Sequence, residues 1–492
     1  MSEQVLTKEL LNAGQQELLP AVKDSPVTML QIGEGNFLRG FVDWMIHEAR
    51  KQGRYEGSIA VTQPRPSGSA KLAELAGQDG LYTLVTRGLE NGRQVERKDV
   101  ISVFSQVIDP YKDWERFLAL AESAELQVVV SNTTEAGLVY RQEELKEGQP
   151  ILSFPGKMAY FLYRRYEAFG GAPDKGLVFL PCELLERNGD ELKACILRYC
   201  TDWQLPQAFI QWVTSCSRFL NSLVDRIVTG YPDEQAEQWF EEWGYRDAML
   251  NTAEPYHFWA IEAEQELEGL LPLKTAGFNV VWTDDLKPYQ QRKVRILNGA
   301  HTLMTPTAIL HGFRYVREVM EDLEFGRYVR EAVNEDIIPS MPMDRAELLD
   351  YAETVFERFS NPFIKHRLSD IAMNSVSKFK VRLLPSIAYY AEQGQPVPNR
   401  LARALAGLLR YVKVRQDGGG YVGRTLTGEI YEVRDDVQVL EQFAAVWKKT
   451  EEAGLPAAET ARELLSLPVW GADLSSWPGL AEAVSRCLEE WS

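Results

Sequence analysis

Cysteine is scarce in this sequence, with five residues (Cys182, Cys195, Cys200, Cys216 and Cys487) among 492. The number is odd and no two stand at CxxC spacing. Neither a disulfide framework nor a zinc knuckle is indicated, and a reducing, cytoplasmic setting is expected. Histidine is equally sparse at five. His47, His257 and His311 lack carboxylate or cysteine neighbours at ligand spacing, so no metal is expected. Positive charge is in short supply: Lys plus Arg total 53 against 71 Asp plus Glu, a net charge of −18. That balance argues against a nucleic-acid binder that tracks phosphates, while leaving room for a local basic pocket around a small anion. No apolar run approaches the roughly 18 residues of a membrane span, so no membrane partner is expected. The opening residues, MSEQVLTKELLNAGQQELL, mix charge into an amphipathic pattern and lack a signal-peptide stretch. Internal repeats and low-complexity segments are missing as well.

What is present is the ordinary mix of a soluble globular chain, 45% apolar and 25% charged. At roughly 150 residues per domain the length allows two or three domains. Val27 to Ile32 reads as a strand that runs into Gly33-Glu-Gly35-Asn-Phe-Leu-Arg-Gly40 and then an amphipathic helix, Phe41 to Lys51. A second strand, Ser58 to Thr62, follows at βαβ distance, and Asn91-Gly92 marks a hairpin turn. Helices over 113–124 and 157–168 alternate with strands Gln127 to Val130 and Gly176 to Leu180, which implies a mostly parallel sheet. The character changes near residue 284, where Asp284-Asp285-Leu-Lys-Pro288 resembles a helix start. Beyond it helical periodicity dominates, over 289–311, 316–334, 344–358, 364–373, 401–413, 436–453, 458–466 and 478–490. Gly418-Gly419-Gly420 and TGEIYEV form a loop-plus-hairpin insertion. The expected architecture is an α/β dinucleotide-binding domain over 1–285 and a mostly α-helical catalytic and substrate domain over 286–492.

Three stretches could carry chemistry. The first is the glycine turn after the first strand, where Gly33 and Gly35 would let backbone approach a pyrophosphate; Asn36, Phe37 and Arg39 are the neighbouring cofactor candidates. Its spacing departs from GxGxxG, and Thr62-Gln63-Pro64-Arg65 stands where an acidic ribose-binding residue is usual, so NADP stays open beside NAD. A glycine turn required only for packing is the competing reading. The second is Ser131-Asn132-Thr133-Thr134-Glu135, a polar loop at a strand's carboxyl end, with a plain helix cap as its alternative. The third is Lys293-x-x-x-x-Asn298-x-x-His301. On an α-helix Asn298 lies about 140° and His301 about 80° from Lys293, so the three share one polar arc. A lysine acid/base, an amide on a carbonyl oxygen and an orienting histidine suit carbonyl reduction without metal. A solvated helix face is the alternative. Gly299 costs the helix roughly 1 kcal/mol relative to Ala, which suggests close approach of a ligand or another backbone. Asn361-Pro362 and Ser377-Lys378, taken alone, read as a helix cap and a solvated lysine.

These stretches, together with PCELLERNG (Pro181 to Gly189), NSLVDRI (Asn221 to Ile227), KVRILNGAH (Lys293 to His301) and NPFIKH (Asn361 to His366) with Ser377-Lys378, resemble the mannitol dehydrogenase family of long-chain polyol and sugar-acid dehydrogenases. The motifs occur in family order and cover nearly the whole chain. The resemblance implies a Rossmann-type domain, a helical C-terminal domain and an active site in the cleft between them. It implies NAD(H) as cofactor, Lys293 as acid/base, Asn298 on the alkoxide or carbonyl oxygen and His301 on substrate, with Asp225 and Lys378 binding substrate. Two departures stand out. Mannitol dehydrogenases have Cys-Asp-Asn where this chain has Cys182-Glu183-Leu184, so the second oxyanion donor is lost or comes from elsewhere, and a pocket arginine of theirs aligns with Asp370. The Pro-Cys-Glu-Leu form resembles the branch that reduces sugar acids, so a small sugar-acid substrate is expected. A protein that binds NAD without turning it over is the contrasting reading, and the Lys–Asn–His triplet argues against it.

Overall fold

Val27–Ile32 (β1) and Ser58–Thr62 (β2) are adjacent parallel strands in the computed structural model, with the bounds their apolar runs predict. The structure describes residues 4–146 and 148–491, without the side chains of Leu19, Pro20 and Glu135. Phe104–Val107 (β3), Val128–Ser131 (β4), Val178–Pro181 (β5) and Arg218–Phe219 (β6) complete a six-stranded sheet in the order β3-β2-β1-β4-β5-β6. Its five strand pairings are all parallel. Both faces are covered, so successive side chains enter two different cores. Met29, Ile59, Val61, Val128 and Val130 pack on one side, and Leu30, Ile32, Ala60 and Val129 on the other. Burying each such side chain is worth roughly 1.5–3 kcal/mol for Val, Leu or Ile, and a one-residue slip would exchange the faces of a whole strand.

Strand order reverses between β1 and β4, and ligands of open α/β sheets bind outside the carboxyl ends at such a point. In register, Ile32 pairs with Thr62 and Ser131, and Ser131 pairs with Pro181. The residues that follow, Gly33, Gln63, Asn132 and Cys182, therefore emerge in a row along one edge.

The segment after β1 differs in detail from the single helix expected. Asn36–Arg39 makes one helical turn (α1), the chain breaks at Gly40-Phe41, and Val42–Lys51 (α2) continues. Asn91 and Gly92 both have positive φ, 53° and 72°, the combination a two-residue hairpin turn requires. The hairpin strands, Tyr82–Glu90 and Arg93–Ile101, belong to a four-stranded sheet with Val228–Gly230 and Asn251–Ala253. Ser222–Asp225, Phe258–Glu262 and Val280–Thr283 form a further three-stranded sheet.

The chain divides into two compact units, residues 1–90 with 94–286 and residues 91–93 with 287–492. The second is mainly helical. Lys287–Arg292 (α3) leads through a π-helical turn, Lys293–Asn298, into Gly299–Leu310 (α4). Every residue of α4 from Gly299 to Ala308 is buried, as expected of a helix apolar on all sides at the centre of its unit. The continuous helix expected over 289–311 is thus wound in two different ways. Residues 415–433 form a three-stranded antiparallel sheet. Among the described residues, no helix is long and apolar enough to cross a membrane.

Candidate active site

The glycine turn is shaped from behind. Gly33 has φ +125°, and its N–H donates to Thr62 O at 2.8 Å. A Cβ there would lie 3.0 Å from the Asn132 carbonyl oxygen, so a side chain would force the β1 and β4 loops apart. A Cβ at Gly35 would meet nothing within 4 Å, which leaves that backbone open to a ligand. Arg39 does not reach outward as the phosphate contact expected of it. It is 3% exposed. Its guanidinium donates to Glu34 O at 3.0 Å, to Met249 O and to Asn36 Oδ1 at 2.7 Å. The aromatic ring of Tyr82 lies beneath it, 5.0 Å away. Phe37 is likewise drawn inward, stacking on Phe41 at 5.0 Å. The side chain of Asn36 is taken up by Arg39, and its carbonyl accepts from Asn251 Nδ2 at 2.9 Å. Arg226, also buried, donates to Gly40 O at 2.6 Å and to Glu254 O at 2.9 Å. Arg39, expected to face a phosphate, and Arg226, given no role in the sequence reading, thus staple the turn to the rest of its unit.

The second loop is held by Glu183. Its buried carboxylate accepts from Ser131 Oγ at 3.1 Å, Thr133 N–H at 2.9 Å and Thr133 Oγ1 at 3.3 Å. Burial raises its pKa, and these hydrogen bonds oppose the rise. Asn132 Nδ2 donates to Cys182 O at 2.7 Å. Thr134 is exposed, and the side chain of Glu135 lies outside the described residues. Leu184, at the position of the missing oxyanion asparagine, is 69% exposed. Asn188 offers no substitute: its Nδ2 donates to Pro181 O, Glu183 O and Ser222 O.

Beyond β2 lies a cavity of about 450 Å³ lined by Pro64 to Ser67, Gly137, Glu143 and Ser153, among others. Lys157 is fully buried; its Nζ donates to Pro64 O at 2.9 Å, Leu152 O at 3.1 Å and Tyr111 Oη at 2.5 Å. Burial brings its pKa down to about 7. At the end of β2, buried Thr62 Oγ1 and Gln63 Oε1 have no hydrogen-bond partner among the described residues. An open glycine turn, a roomy cavity past the second strand and unpartnered oxygens between them fit a dinucleotide.

In the second unit, Lys293 and Asn298 are the first and last residues of the π turn. Its i→i+5 winding brings residues four and five apart, rather than three and four, onto one face, so the α-helical angles expected for the triplet do not apply. Single π turns recur at functional sites. Gly299 does not mark a close approach: a Cβ there would meet its neighbours at an ordinary 3.6 Å. His301 is 8% exposed and lies on Phe359, with ring centroids 4.3 Å apart, and edge-on to His366 at 4.8 Å. Its Nε2 is buried without a partner among the described residues. Burial first, then His366, Arg382, Arg358 and Lys378, hold its pKa well below the usual imidazole range, so the ring is neutral.

His366 was not expected here. Asn361 is no helix cap; its Oδ1 accepts from Phe363 N–H at 3.0 Å in a loop, and helix resumes only at Leu368–Ile371. That loop carries His366 to His301. Lys378 sits on Ser375–Arg382 (α5), half-buried, with Nζ donating to Ile371 O at 2.9 Å. Burial, followed by Arg382, lowers its pKa. It is not the solvated lysine its motif suggests when taken alone. Asp370 pairs with Arg434 at 3.4 Å. Asp225 ends its strand in the first unit, 7% exposed. Among the described residues, no three His, Cys, Asp or Glu side chains converge as a metal site.

Residues 27–275 match the sequence profile of the mannitol dehydrogenase Rossmann domain, and 285–492 that of the mannitol dehydrogenase C-terminal domain. The chain is 41% identical to altronate oxidoreductases of Halalkalibacterium halodurans and Bacillus subtilis, over 94% of its length and 90% and 92% of theirs. In fold it is similar to Pseudomonas fluorescens mannitol 2-dehydrogenase, solved with NAD and D-mannitol (TM-score 0.65, 23% identity, 98% of this chain and 96% of that one). It is also similar to a D-sorbitol dehydrogenase (TM-score 0.75, 21% identity, 98% and 100%).

Proposed function

The chain belongs to the mannitol dehydrogenase family, oxidoreductases acting on CH–OH groups, and from that premise we propose that it is an NAD-dependent tagaturonate reductase, interconverting D-tagaturonate and D-altronate. The observation that carries the choice of a sugar acid is the pair of cations Lys378 and Arg382 on one helix, with the Arg382 guanidinium donating at 3.1 Å to Thr302 Oγ1, next in the chain to His301. A carboxylate gains a charge interaction from such a pair that an uncharged polyol does not. Likeness to altronate oxidoreductases along 94% of the chain supports the same choice.

The first unit holds the cofactor, with Gly33 and Gly35 admitting the pyrophosphate and the loop over Asn132 to Glu135 flanking the nicotinamide. When bound, NADH supplies hydride to the ketone carbon. Lys293 gives a proton to the carbonyl oxygen as it becomes an alcohol. Asn298 donates a hydrogen bond to that oxygen, which strengthens as negative charge develops. His301, neutral and with Nε2 unpartnered, orients a substrate hydroxyl. Asp225 and Lys378 bind substrate. No step is assigned to a metal.

The test is NADH absorbance with tagaturonate, fructuronate and fructose side by side. Highest kcat/KM on tagaturonate is expected. Preference for fructuronate or fructose would replace the reading by a sibling activity, and no oxidation of NADH with any of them would make the protein a binder.

A further inference from the structure

We propose that Arg382 reads the carboxylate of the substrate, forming with Lys378 a two-cation fork on one face of α5. The proposal rests on the sugar-acid reading and deepens it by naming the group that tells acids from polyols.

Lys378 and Arg382 are four residues apart on Ser375–Arg382 and so share a helix face. The Arg382 guanidinium donates to Thr302 Oγ1 at 3.1 Å and reaches Asn298 O only at 3.5 Å. Both acceptors are neutral, and among the described residues no carboxylate pairs with it. A half-buried guanidinium with neutral partners has lost part of its hydration without gaining a counter-charge. Its two partners belong to the stretch that carries Asn298 and His301, so the cation stands beside the groups assigned to the carbonyl.

The nearby acids are engaged elsewhere. Asp435 accepts from Val376 N–H at 3.0 Å and lies 3.4 Å from Ser375 Oγ, and Asp370 faces Arg434. Lys378 spends one donor on Ile371 O and has others left. His301 Nε2, more than nine-tenths buried and unpartnered, independently marks a missing polar ligand at the same place. A planar guanidinium can meet a carboxylate through two parallel hydrogen bonds, which an ammonium cannot.

The experiment compares Arg382→Gln and Arg382→Lys with wild type, measuring kcat and KM for tagaturonate and for tagatose, its uncharged counterpart. Arg382→Gln is expected to lower kcat/KM for tagaturonate roughly ten- to hundredfold, mainly through KM, and to change tagatose turnover little. Arg382→Lys should fall between. Equal losses on both substrates would mean that Arg382 only props the Asn298 and Thr302 stretch, and would overturn the proposal. In wild type, phenylglyoxal modification of Arg382, followed by peptide mass spectrometry, should be slowed by altronate and unaffected by mannitol. This readout decides the matter if the variants do not fold or tagatose turnover is too slow to measure, and equal protection by both compounds would count against the assignment. Failure of wild type to reduce tagaturonate while it reduces an uncharged ketose would instead overturn the sugar-acid reading itself.

Discussion

The edge of the parallel sheet and the surroundings of His301 are built on opposite plans. At the sheet edge the polar side chains turn inward: Glu183 holds Ser131 and Thr133, while Arg39 and Arg226 hold carbonyls behind the glycine turn. The backbone at Gly35 is left open. Around His301 the side chains themselves converge, with the rings of Phe359 and His366 against it and an imidazole nitrogen left unpartnered among the described residues. A large ligand of fixed shape can be held by backbone that buried staples keep in place. Proton transfer and charge recognition need functional groups aimed at particular atoms.

The contrast is broken most severely by removing the proposed acid/base. Lys293→Ala should lower kcat by about 10²–10⁴-fold. A variant that keeps more than about a tenth of the rate would show that the proton comes from elsewhere.

Glu183→Ala attacks the other plan. It leaves a partly buried Thr133 N–H without its acceptor, and hydrogen bonds to charged groups are worth roughly 1.5–3 kcal/mol. NADH affinity should weaken by up to about tenfold to a hundredfold, with a lower melting temperature, while kcat at saturating NADH changes little. An unchanged dissociation constant would remove Glu183 from the account of the loop.

The network beneath the glycine turn supplies a pH test. Asp43 is fully buried, 3.2 Å from Gln31 Nε2 and 3.4 Å from the Tyr82 hydroxyl, and burial pushes its pKa up to about 8. The folded state keeps a proton that the unfolded chain releases near pH 4, so this group's contribution to stability falls as pH rises from about 4 to 8 and is flat above. Asp43→Asn removes that slope. Its melting temperature relative to wild type should rise between pH 5 and pH 8, and a constant difference would show that Asp43 is ionised throughout. The smallest effect expected is none: exhaustive EDTA treatment should leave activity intact, and a loss restored by zinc or manganese would contradict the metal-free reading.

These two plans also differ in how far the sequence discloses them. β1 and β2 follow directly from six- and five-residue apolar runs, and the glycine turn from its place after the first strand. The parallel pairing of Asn251–Ala253 with Leu84–Thr86 is invisible to local periodicity, because the partners lie more than 150 residues apart. Lys293, Asn298 and His301 stand out as residue types. Their mutual placement does not, since the π turn depends on hydrogen-bond register rather than on composition. Arg39 shows how identity can be read correctly and direction missed: an arginine in a glycine turn suggests phosphate, yet nearby carbonyls draw it inward. His366 and Arg382 come from a loop and a helix whose packing around His301 is tertiary, so no local pattern in the sequence brings them together.

The central claim is that binding and chemistry are divided between these two regions. Titration of NADH fluorescence against wild type, Lys293→Ala and Glu183→Ala tests it most directly. The account predicts a wild-type dissociation constant for Lys293→Ala, which turns over almost nothing, and a clearly weakened one for Glu183→Ala, which retains turnover at saturation. Equal weakening in both variants, or in Lys293→Ala alone, would contradict it.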